Sequence, residues 1–470
     1  MRSPRLTATL SLGVLSALLP SAFGQAPPGE GPSLGPVRTT QASLVSGTMT
    51  LSQIRAAGLK MFSTPFNKLD GYGDGPMDPL DPTSPGARPT LQNNGTFLRV
   101  NGLDAQTCME CHAVGSNAVV PFRFAVGGVG GSNTNVIFQP RTIDVSDTAG
   151  FNYAFVDGRY INPPFLFGSG GVELAAKEMT FDLQRLRFKA ATNPDRVIPL
   201  TTHGVNFGSI VLDSQTGQLD LSNVQGIDDD LVVRAFGRKG EFPSVRAFDL
   251  EAMSFHFGMQ PIEVVGQNFD ADNDGVENEI TIGEISALHI FNTNLERPTV
   301  QGVTPASQAG AQHFSAFGCA NCHKPFLDTR SPVLTYTFPE VPTDPQANPF
   351  YSVDLRTTPA GFDPSPLGGI RVPLFSDLKR HDMGPGLAES FGTPLDSQFI
   401  TARLWGVADT APYLHDGRAL TLTDAILAHG GEAQAARDAF DQAAPAQRVE
   451  LLTFLRTLRT PVDPAADLLP

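Results

Sequence analysis

The feature that most constrains this sequence is a Cys-x-x-Cys-His motif that occurs twice, at 108–112 and at 319–323. Two thiols three positions apart on one short turn can add to the two vinyl groups of a porphyrin, and the next imidazole can then bind the iron. A single copy would also fit a zinc or redox site with a chance histidine, but the second copy argues against that alternative. The predicted attachment and ligand residues are Cys108, Cys111, His112, Cys319, Cys322 and His323. Because these motifs use all 4 cysteines, we expect two covalent c-type haems and no disulfide.

Length and composition set the broad class. A chain of 470 residues can form two or three cores, and with 41% hydrophobic and 17% charged residues it is globular rather than disordered. The 46 glycines and 39 prolines predict much loop. The formal net charge of -15 makes nucleic acid and anionic membranes poor partners, whereas it would attract a basic electron donor.

The first residues resemble an export signal. Arg2 and Arg5 precede an apolar run over 6–19, and small residues at 22–24 offer a cleavage position. An uncleaved membrane anchor is the alternative, although the run is short and Pro20 ends it. Covalent haem is assembled outside the cytoplasm, so both signals predict a periplasmic or secreted protein with no stable membrane insertion.

Apolar periodicity predicts a mainly α fold class, with two cytochrome c-like haem domains that carry loop-rich and small β insertions. The predicted divisions are a signal peptide (1–24), a flexible linker rich in Pro, Gly, Ser and Thr (25–50), an N-terminal haem domain with insertions (51–300) and a C-terminal haem domain (301–470). Helices are expected at 54–62, 171–183, 247–257, 284–290, 422–429 and 446–458, and short strands at 197–224. The glycine-rich stretch 125–131 lacks the context of a nucleotide site and is interpreted as a loop.

The C-terminal half resembles a known superfamily. The stretch 405–429, which contains Tyr413-Leu414-His415-Asp416-Gly417, and the segment 379–384 resemble the bacterial di-haem cytochrome c peroxidase superfamily. The similarity is closest to its di-haem oxidoreductase branch and extends over about 311–458. In the N-terminal half, the haem motif and Glu178-Met179 are its main anchors. The resemblance implies that the C-terminal haem relays electrons and the N-terminal haem meets the oxidant.

The resemblance also implies a second iron ligand for the C-terminal haem. The superfamily has a methionine at the position that His429 occupies here, and bis-histidine ligation gives a lower potential than Met/His ligation. Met383 and His381 are rival ligands, but the spacing from His415 favours His429. His415 itself is interpreted as a turn histidine near the haem edge.

For the N-terminal haem, no histidine occurs between His112 and His203. This predicts an open iron that can bind peroxide or dioxygen, with His203 or His256 as alternative distant ligands. The peroxidases use a glutamate of a Glu-Met pair to move a proton during O–O cleavage, which points to Glu178 as the catalytic carboxylate. Glu173 is the competing candidate, and a surface role in a helix is the alternative for both.

The run Asp270, Asp272, Asp274, Gly275 matches the first half of a calcium-binding loop. Position twelve of that loop is Thr281 rather than glutamate, so Asn278 or Glu279 would have to complete a shorter site. An acidic turn without an ion is the alternative.

Together these patterns predict an exported di-haem oxidoreductase that reduces hydrogen peroxide with electrons from an external small cytochrome or cupredoxin. One alternative is an oxygenase or oxidase that acts on an organic or protein substrate at the N-terminal haem, since Phe165 and Phe167 would suit an apolar substrate. The other is a non-catalytic electron-transfer cytochrome in which both irons are closed.

Overall fold

The computed structural model describes residues 31–73, 106–112, 137–144, 155–357, 359–389, 392–461 and 464–468. The predicted signal peptide and the glycine-rich stretch 125–131 lie outside these ranges. Within them, no helix has the length and apolar character needed to cross a membrane.

Several helices begin at conventional capping residues. The side chain of Thr50 caps the helix Leu51–Ser63 together with Gln53, Thr281 caps Ile282–Thr293 together with Glu284, and Thr304 precedes Pro305 at the start of Pro305–Ala316. The α-helices of the described residues are α1 (Gln41–Val45), α2 (Leu51–Ser63), α3 (Ser169–Ala191), α4 (Val245–Phe257), α5 (Ile262–Val265), α6 (Ile282–Thr293), α7 (Pro305–Ala316), α8 (Leu422–Leu427), α9 (Gln434–Gln442) and α10 (Pro445–Leu455). Both Cys-x-x-Cys-His motifs lie on short 3-10 turns, Cys108–Glu110 and Cys319–Asn321.

The strands form small antiparallel sheets. They are β1 (Ile137–Asp144), β2 (Phe155–Ile161), β3 (Ile198–Thr202), β4 (Val205–Leu212), β5 (Leu219–Asp220), β6 (Thr299–Val300), β7 (Leu327–Asp328), β8 (Val333–Thr337), β9 (Pro349–Asp354), β10 (Arg371–Val372), β11 (Arg380–Asp382), β12 (Gln398–Ile400) and β13 (Leu458–Arg459). Strands β3, β4 and β5 make one three-stranded sheet, and the remaining strands pair as β1–β2, β6–β13, β7–β10, β8–β9 and β11–β12.

Each haem motif is accompanied by a pair of helices that cross at a glycine. Helix α2, which precedes the first motif, packs on α6, and a Cβ on Gly58 would lie 2.2 Å from the carbonyl oxygen of Ala287. Helix α7, which precedes the second motif, packs on α10, and a Cβ on Gly310 would lie 2.0 Å from the carbonyl oxygen of Glu450. Because a side chain at either glycine would push the helices apart, both crossings depend on glycine.

The buried apolar side chains of the described residues form three clusters. The largest is built on α3, β3 and β4 and includes Trp405, which is 3% exposed. A second cluster surrounds the first motif, with Met109, Phe62 and Phe291 among its members. A third cluster, which contains Phe314 and Leu455, has Cys319 packed against it.

The observed elements agree with the predicted fold class as far as helices, extensive loops and small sheets are concerned. The helices expected near 171–183, 247–257, 284–290 and 422–429 and the strands within 197–224 are present. The last helix is shorter than predicted, because Leu458 leaves it to pair with Val300 in β13 and β6. On this helix Val449 is 60% exposed, whereas Leu451 is buried.

Residues 31–50, predicted to be part of a flexible linker, are packed against the body. Leu34 and Leu44 are each 1% exposed. The carboxylate of Asp70 accepts hydrogen bonds from the backbone N–H groups of Ser33 and Leu34, both at 2.9 Å. Burial of two leucines thus fixes a segment whose composition is typical of a loop.

Candidate functional site: one cavity shared by two haem motifs

The two motifs open into one cavity of about 840 Å³. Its walls include the six motif residues Cys108, Cys111, His112, Cys319, Cys322 and His323, together with His429. Although 211 positions separate the motifs in the chain (319 − 108 = 211), folding brings them to one space. None of the four cysteines, all of them in the described part of the chain, forms a disulfide, so each remains available for haem attachment.

The first motif is fixed by local hydrogen bonds. The Thr107 hydroxyl donates to the carbonyl oxygen of Phe62 at 2.9 Å, and the N–H of His112 donates to the carbonyl oxygen of Cys108, also at 2.9 Å. The Nδ1 atom of His112 is buried with no hydrogen-bond partner among the described residues. Burial, and then the nearby His256, lower the pKa of His112 to about 3. The imidazole is therefore neutral, as an iron ligand must be.

The second motif has two facing histidines. The Nδ1 atom of His323 donates to the carbonyl oxygen of Phe375 at 3.1 Å, and the Nδ1 atom of His429 donates to that of Ala425 at 2.7 Å. Because a carbonyl oxygen only accepts, each ring carries its proton on Nδ1 and keeps its Nε2 lone pair. The ring centroids lie 6.4 Å apart. Two imidazoles that bind one iron at about 2 Å from opposite sides would have centroids on the order of 6 Å apart, so this pair fits a haem iron.

The rival ligands are placed differently. His381 lies between the carboxylates of Asp377 (2.9 Å) and Glu432 (2.7 Å). Although burial acts to lower the pKa of His381, hydrogen bonds with Asp377, Cys322 and Glu432 raise it to about 11. A protonated imidazole has no lone pair for iron, which favours His429. Met383 also lines the cavity.

The predicted turn histidine, His415, lines the cavity and stacks on the ring of Phe399, with centroids 4.3 Å apart. Its carbonyl oxygen accepts a hydrogen bond from the N–H of Asn162 at 2.8 Å. The Tyr413–Gly417 turn therefore connects the C-terminal half to the segment that follows β2.

Of the two alternative distant ligands for the first haem, the structure brings only one to the cavity. His256 lines it, whereas His203 is hydrogen-bonded to Glu178 (3.0 Å) and Thr202 (2.9 Å) and is not among the described lining residues. His203 is therefore wrong as a ligand candidate in this arrangement.

Neither predicted catalytic glutamate is among the described lining residues. Glu178 accepts hydrogen bonds from the backbone N–H groups of Arg330 and Ser331 besides its contact with His203. Burial acts to raise the pKa of Glu178, but these hydrogen bonds lower it below its usual value. Glu178 thus joins α3 to the loop after β7, outside the described lining of the cavity, and its catalytic role stays a prediction.

Glu173 is completely buried in a contact between three helices. Its carboxylate lies 2.9 Å from Nε2 of His289 on α6, 2.7 Å from Nζ of Lys177, and accepts from the N–H of Val245 at the start of α4. Burial acts to raise its pKa, but His289 and Lys177 lower it below the usual value. Tertiary packing, which the helical pattern does not encode, turns Glu173 away from the cavity.

A carboxylate that the sequence analysis missed does line the cavity. Asp249 lies on α4, seven residues before His256, so the two side chains share one face of the helix two turns apart. The Oδ1 atom of Asp249 accepts from the amide of Asn292 at 3.0 Å, and its buried Oδ2 has no partner among the described residues. The only sequence signal was an aspartate within the apolar pattern of α4.

Burial raises the pKa of Asp249 well above its usual value. The hydrogen bond from Asn292 acts to lower this pKa, whereas the charge of Glu173 raises it further. Burial therefore favours the protonated form of Asp249. Asp249 and Cys108 both line the cavity, and burial also raises the pKa of the Cys108 thiol. The cavity wall thus contains a carboxyl group that is shifted towards its neutral form.

The predicted calcium residues Asp270, Asp272 and Asp274 come together, with one carboxylate oxygen of each within 4.8 Å of the others. Glu279 is 2% exposed, and burial together with the charges of the three aspartates raises its pKa to about 10. Asn278 instead exchanges hydrogen bonds with Asn268. Of the two residues proposed to complete the site, Glu279 is the one beside the aspartates.

The cavity brings together two motifs of the kind that attach haem. Residues 364–458 match the family described as "Di-haem oxidoreductase, putative peroxidase", which confirms the predicted resemblance. The matched segment contains His429 and the Tyr413–Gly417 turn, but neither Cys-x-x-Cys-His motif. It supports haem cofactors and a di-haem redox enzyme. No curated protein matches the chain.

Two solved structures show weak similarity. Hydrazine synthase of Kuenenia stuttgartiensis, pressurised with xenon, is 15% identical, with 97% of this chain and 100% of that chain covered at a TM-score of 0.35. A MauG-like protein associated with microbial copper homeostasis is 16% identical, with 61% of this chain and 89% of that chain covered at a TM-score of 0.28. Similarity at this level does not establish a shared fold or function.

Proposed function

We propose that this protein is an exported di-haem c-type oxidoreductase that reduces hydrogen peroxide at the N-terminal haem with electrons relayed by the C-terminal haem. Reduction of one peroxide to two waters takes two electrons and two protons. A small cytochrome or cupredoxin would supply the electrons, and the net charge of -15 would favour a basic donor. The single cavity that contains both motifs is the observation that carries the proposal.

Two cytochrome c-like domains are part of this proposal. In support, each motif follows a helix that crosses a later helix at a glycine, α2 with α6 and α7 with α10. Cys108 and Cys111 would attach one haem with His112 as iron ligand, and Cys319 and Cys322 the other with His323 and His429. When bound, the haems would supply an iron for peroxide and a path for electrons.

Asp249 is the best-placed group to move the proton that O–O cleavage requires. Burial favours its protonated form, and its Oδ2 atom is available for a hydrogen bond with peroxide. Asn292 holds the other oxygen and so orients the acid. Glu173 acts on Asp249 through its charge, without entering the cavity.

The test combines spectroscopy with one pair of variants. Optical and electron-spin spectra of the purified protein, oxidised and half-reduced, should show one low-spin haem and one high-spin haem that reacts with peroxide. D249N should slow that reaction by about 10²- to 10⁴-fold, the usual contribution of a proton-transfer group. E251Q, an exposed cavity residue of the same helix, should leave the rate unchanged.

Two low-spin haems in every state, with His256 as the ligand, would refute the proposal and favour an electron-transfer cytochrome.

A second enzymatic function has one observation in its favour. Phenylalanines line the cavity wall, at Phe165, Phe242, Phe248, Phe255 and Phe257. Such a wall would suit an apolar organic substrate of an oxygenase. Dioxygen consumption that depends on such a substrate, without peroxide turnover, would select that function.

We also propose that Asp270, Asp272, Asp274 and Glu279 bind calcium. Hard carboxylate oxygens are the ligands that calcium prefers, and here three come within 4.8 Å of one another.

A further inference from the structure

Arg403 lies in the wall of the cavity with its guanidinium held by two backbone carbonyls. Nη1 donates to the carbonyl oxygen of Ala235 at 3.1 Å, and Nη2 donates to that of Phe165 at 3.0 Å. The guanidinium also lies 5.7 Å from the centroid of the Phe236 ring. These contacts fix the side chain and leave further N–H donors of its five available.

Among the described residues, no carboxylate pairs with Arg403. The other arginines of the cavity wall do have acidic partners: Arg238 pairs with Glu389 at 2.8 Å and Arg437 with Asp438 at 2.7 Å. Burial lowers the pKa of Arg403 to about 10, so the group remains charged at neutral pH. The Arg403 side chain is half-buried at the cavity wall, and no described carboxylate compensates its charge, so this position is suited to an anion that enters the cavity.

Arg403 also lies between the two motifs. Towards the second motif, the N–H of Leu404 donates to the carbonyl oxygen of Leu374, and the next residue, Phe375, holds His323. Towards the first motif, the guanidinium binds the carbonyl oxygen of Phe165, whose ring packs on the same cluster as Cys108 and Cys111. The unpaired cation is therefore connected by neighbouring contacts to both motifs.

We propose that Arg403 binds a haem propionate and is the cation that sets the potential of the adjoining haem. This inference rests on the proposed haem binding. Every c-type haem carries two carboxylates, and a guanidinium recognises a carboxylate through paired N–H donors. The positive charge would disfavour the more positive ferric state, so its presence raises the midpoint potential.

The test is a redox titration of the intact holoproteins of the wild type, R403Q, R403K and R437Q. Optical spectra recorded during the titration report the oxidation state of each haem. R403Q should lower the midpoint potential of at least one haem, and R403K, which keeps the charge, should give a value between those of R403Q and the wild type. R437Q removes an arginine of the same cavity that already has a carboxylate partner, so it should leave both potentials unchanged. Haem content per chain is measured on every sample.

An R403Q potential equal to that of the wild type, or an equal fall in R437Q, would overturn the assignment. If R403Q does not fold, the R403K variant provides the test. A lysine cannot bind both carbonyl oxygens through a planar fork, so a midpoint potential of R403K equal to that of the wild type would also overturn the assignment. Wild-type protein without haem would instead refute the proposed function. The two failures are thus distinguishable.

Discussion

The imidazoles of His323 and His429 are each fixed by one backbone carbonyl, so both rings present Nε2 before any iron arrives. Burial lowers the pKa of both, and for His323 the value falls to about 4. Neither ring has to lose a proton to bind a metal near neutral pH, which makes the pair preorganised for a low-spin iron.

H429M should raise the midpoint potential of the second haem, because thioether ligation stabilises ferrous iron relative to imidazole. Spectroelectrochemistry measures the change, and the optical spectrum reports the new ligand. H381Q is the matched control, since His381 is engaged by Asp377 and Glu432 and should not affect axial ligation. An unchanged potential in H429M, or a rise in H381Q, would remove His429 as the ligand.

At the scale of elements, Glu173 joins three helices through one buried carboxylate. E173Q should lower the free energy of unfolding at about pH 7 by about 3 kcal/mol, because it removes the buried carboxylate charge that pairs with Lys177 and contacts His289. Denaturant titration measures the loss. E251Q, which changes an exposed glutamate of α4, should be close to neutral.

The same contact has a defined pH dependence. The folded-state pKa of Glu173 lies below the unfolded value of about 4.3, so its stabilisation is present above that pH and is lost as pH falls through the folded value. The difference between E173Q and wild type should therefore be constant from about pH 6 to 8 and shrink below about pH 4. A difference that grows in acid would contradict this role.

The loop between α5 and α6 gives another prediction at this scale. Calcium should raise the melting temperature, because it relieves repulsion among Asp270, Asp272, Asp274 and the buried Glu279. At a calcium concentration of 100 times the dissociation constant, the free energy of unfolding should rise by about 2.7 kcal/mol. D272N should reduce this response, as measured by thermal unfolding with calcium or a chelator. D213N is the control, since Asp213 caps a separate turn. Equal responses in all three proteins would exclude the site.

At the scale of the molecule, motifs and helices that depend on short sequence spacing could be predicted from the sequence. Positions that depend on contacts between distant residues could not. The Cys-x-x-Cys-His motifs, most helices and the facing pair His323 and His429 follow from local patterns or from the resemblance. Asp249 and Arg403 are 154 positions apart (403 − 249 = 154) and reach one cavity only through tertiary packing. Contacts with distant residues also bury Glu173, which the sequence offered as a catalytic candidate. They likewise bury Leu34, which the sequence placed in a flexible linker.

Separate apolar clusters beside the two motifs predict that either haem can be removed without the other. C108S/C111S should contain one haem, because the cluster of Phe314 and Leu455 beside Cys319 does not depend on Met109 and Phe62. That haem should keep its low-spin spectrum and accept electrons from a donor but not react with peroxide.

The C319S/C322S variant should show the converse: a high-spin haem that reacts with peroxide once and turns over poorly. Stopped-flow spectra and haem content per chain measure both variants. A peroxide reaction that survives in C108S/C111S and disappears in C319S/C322S would reverse the roles of the two haems.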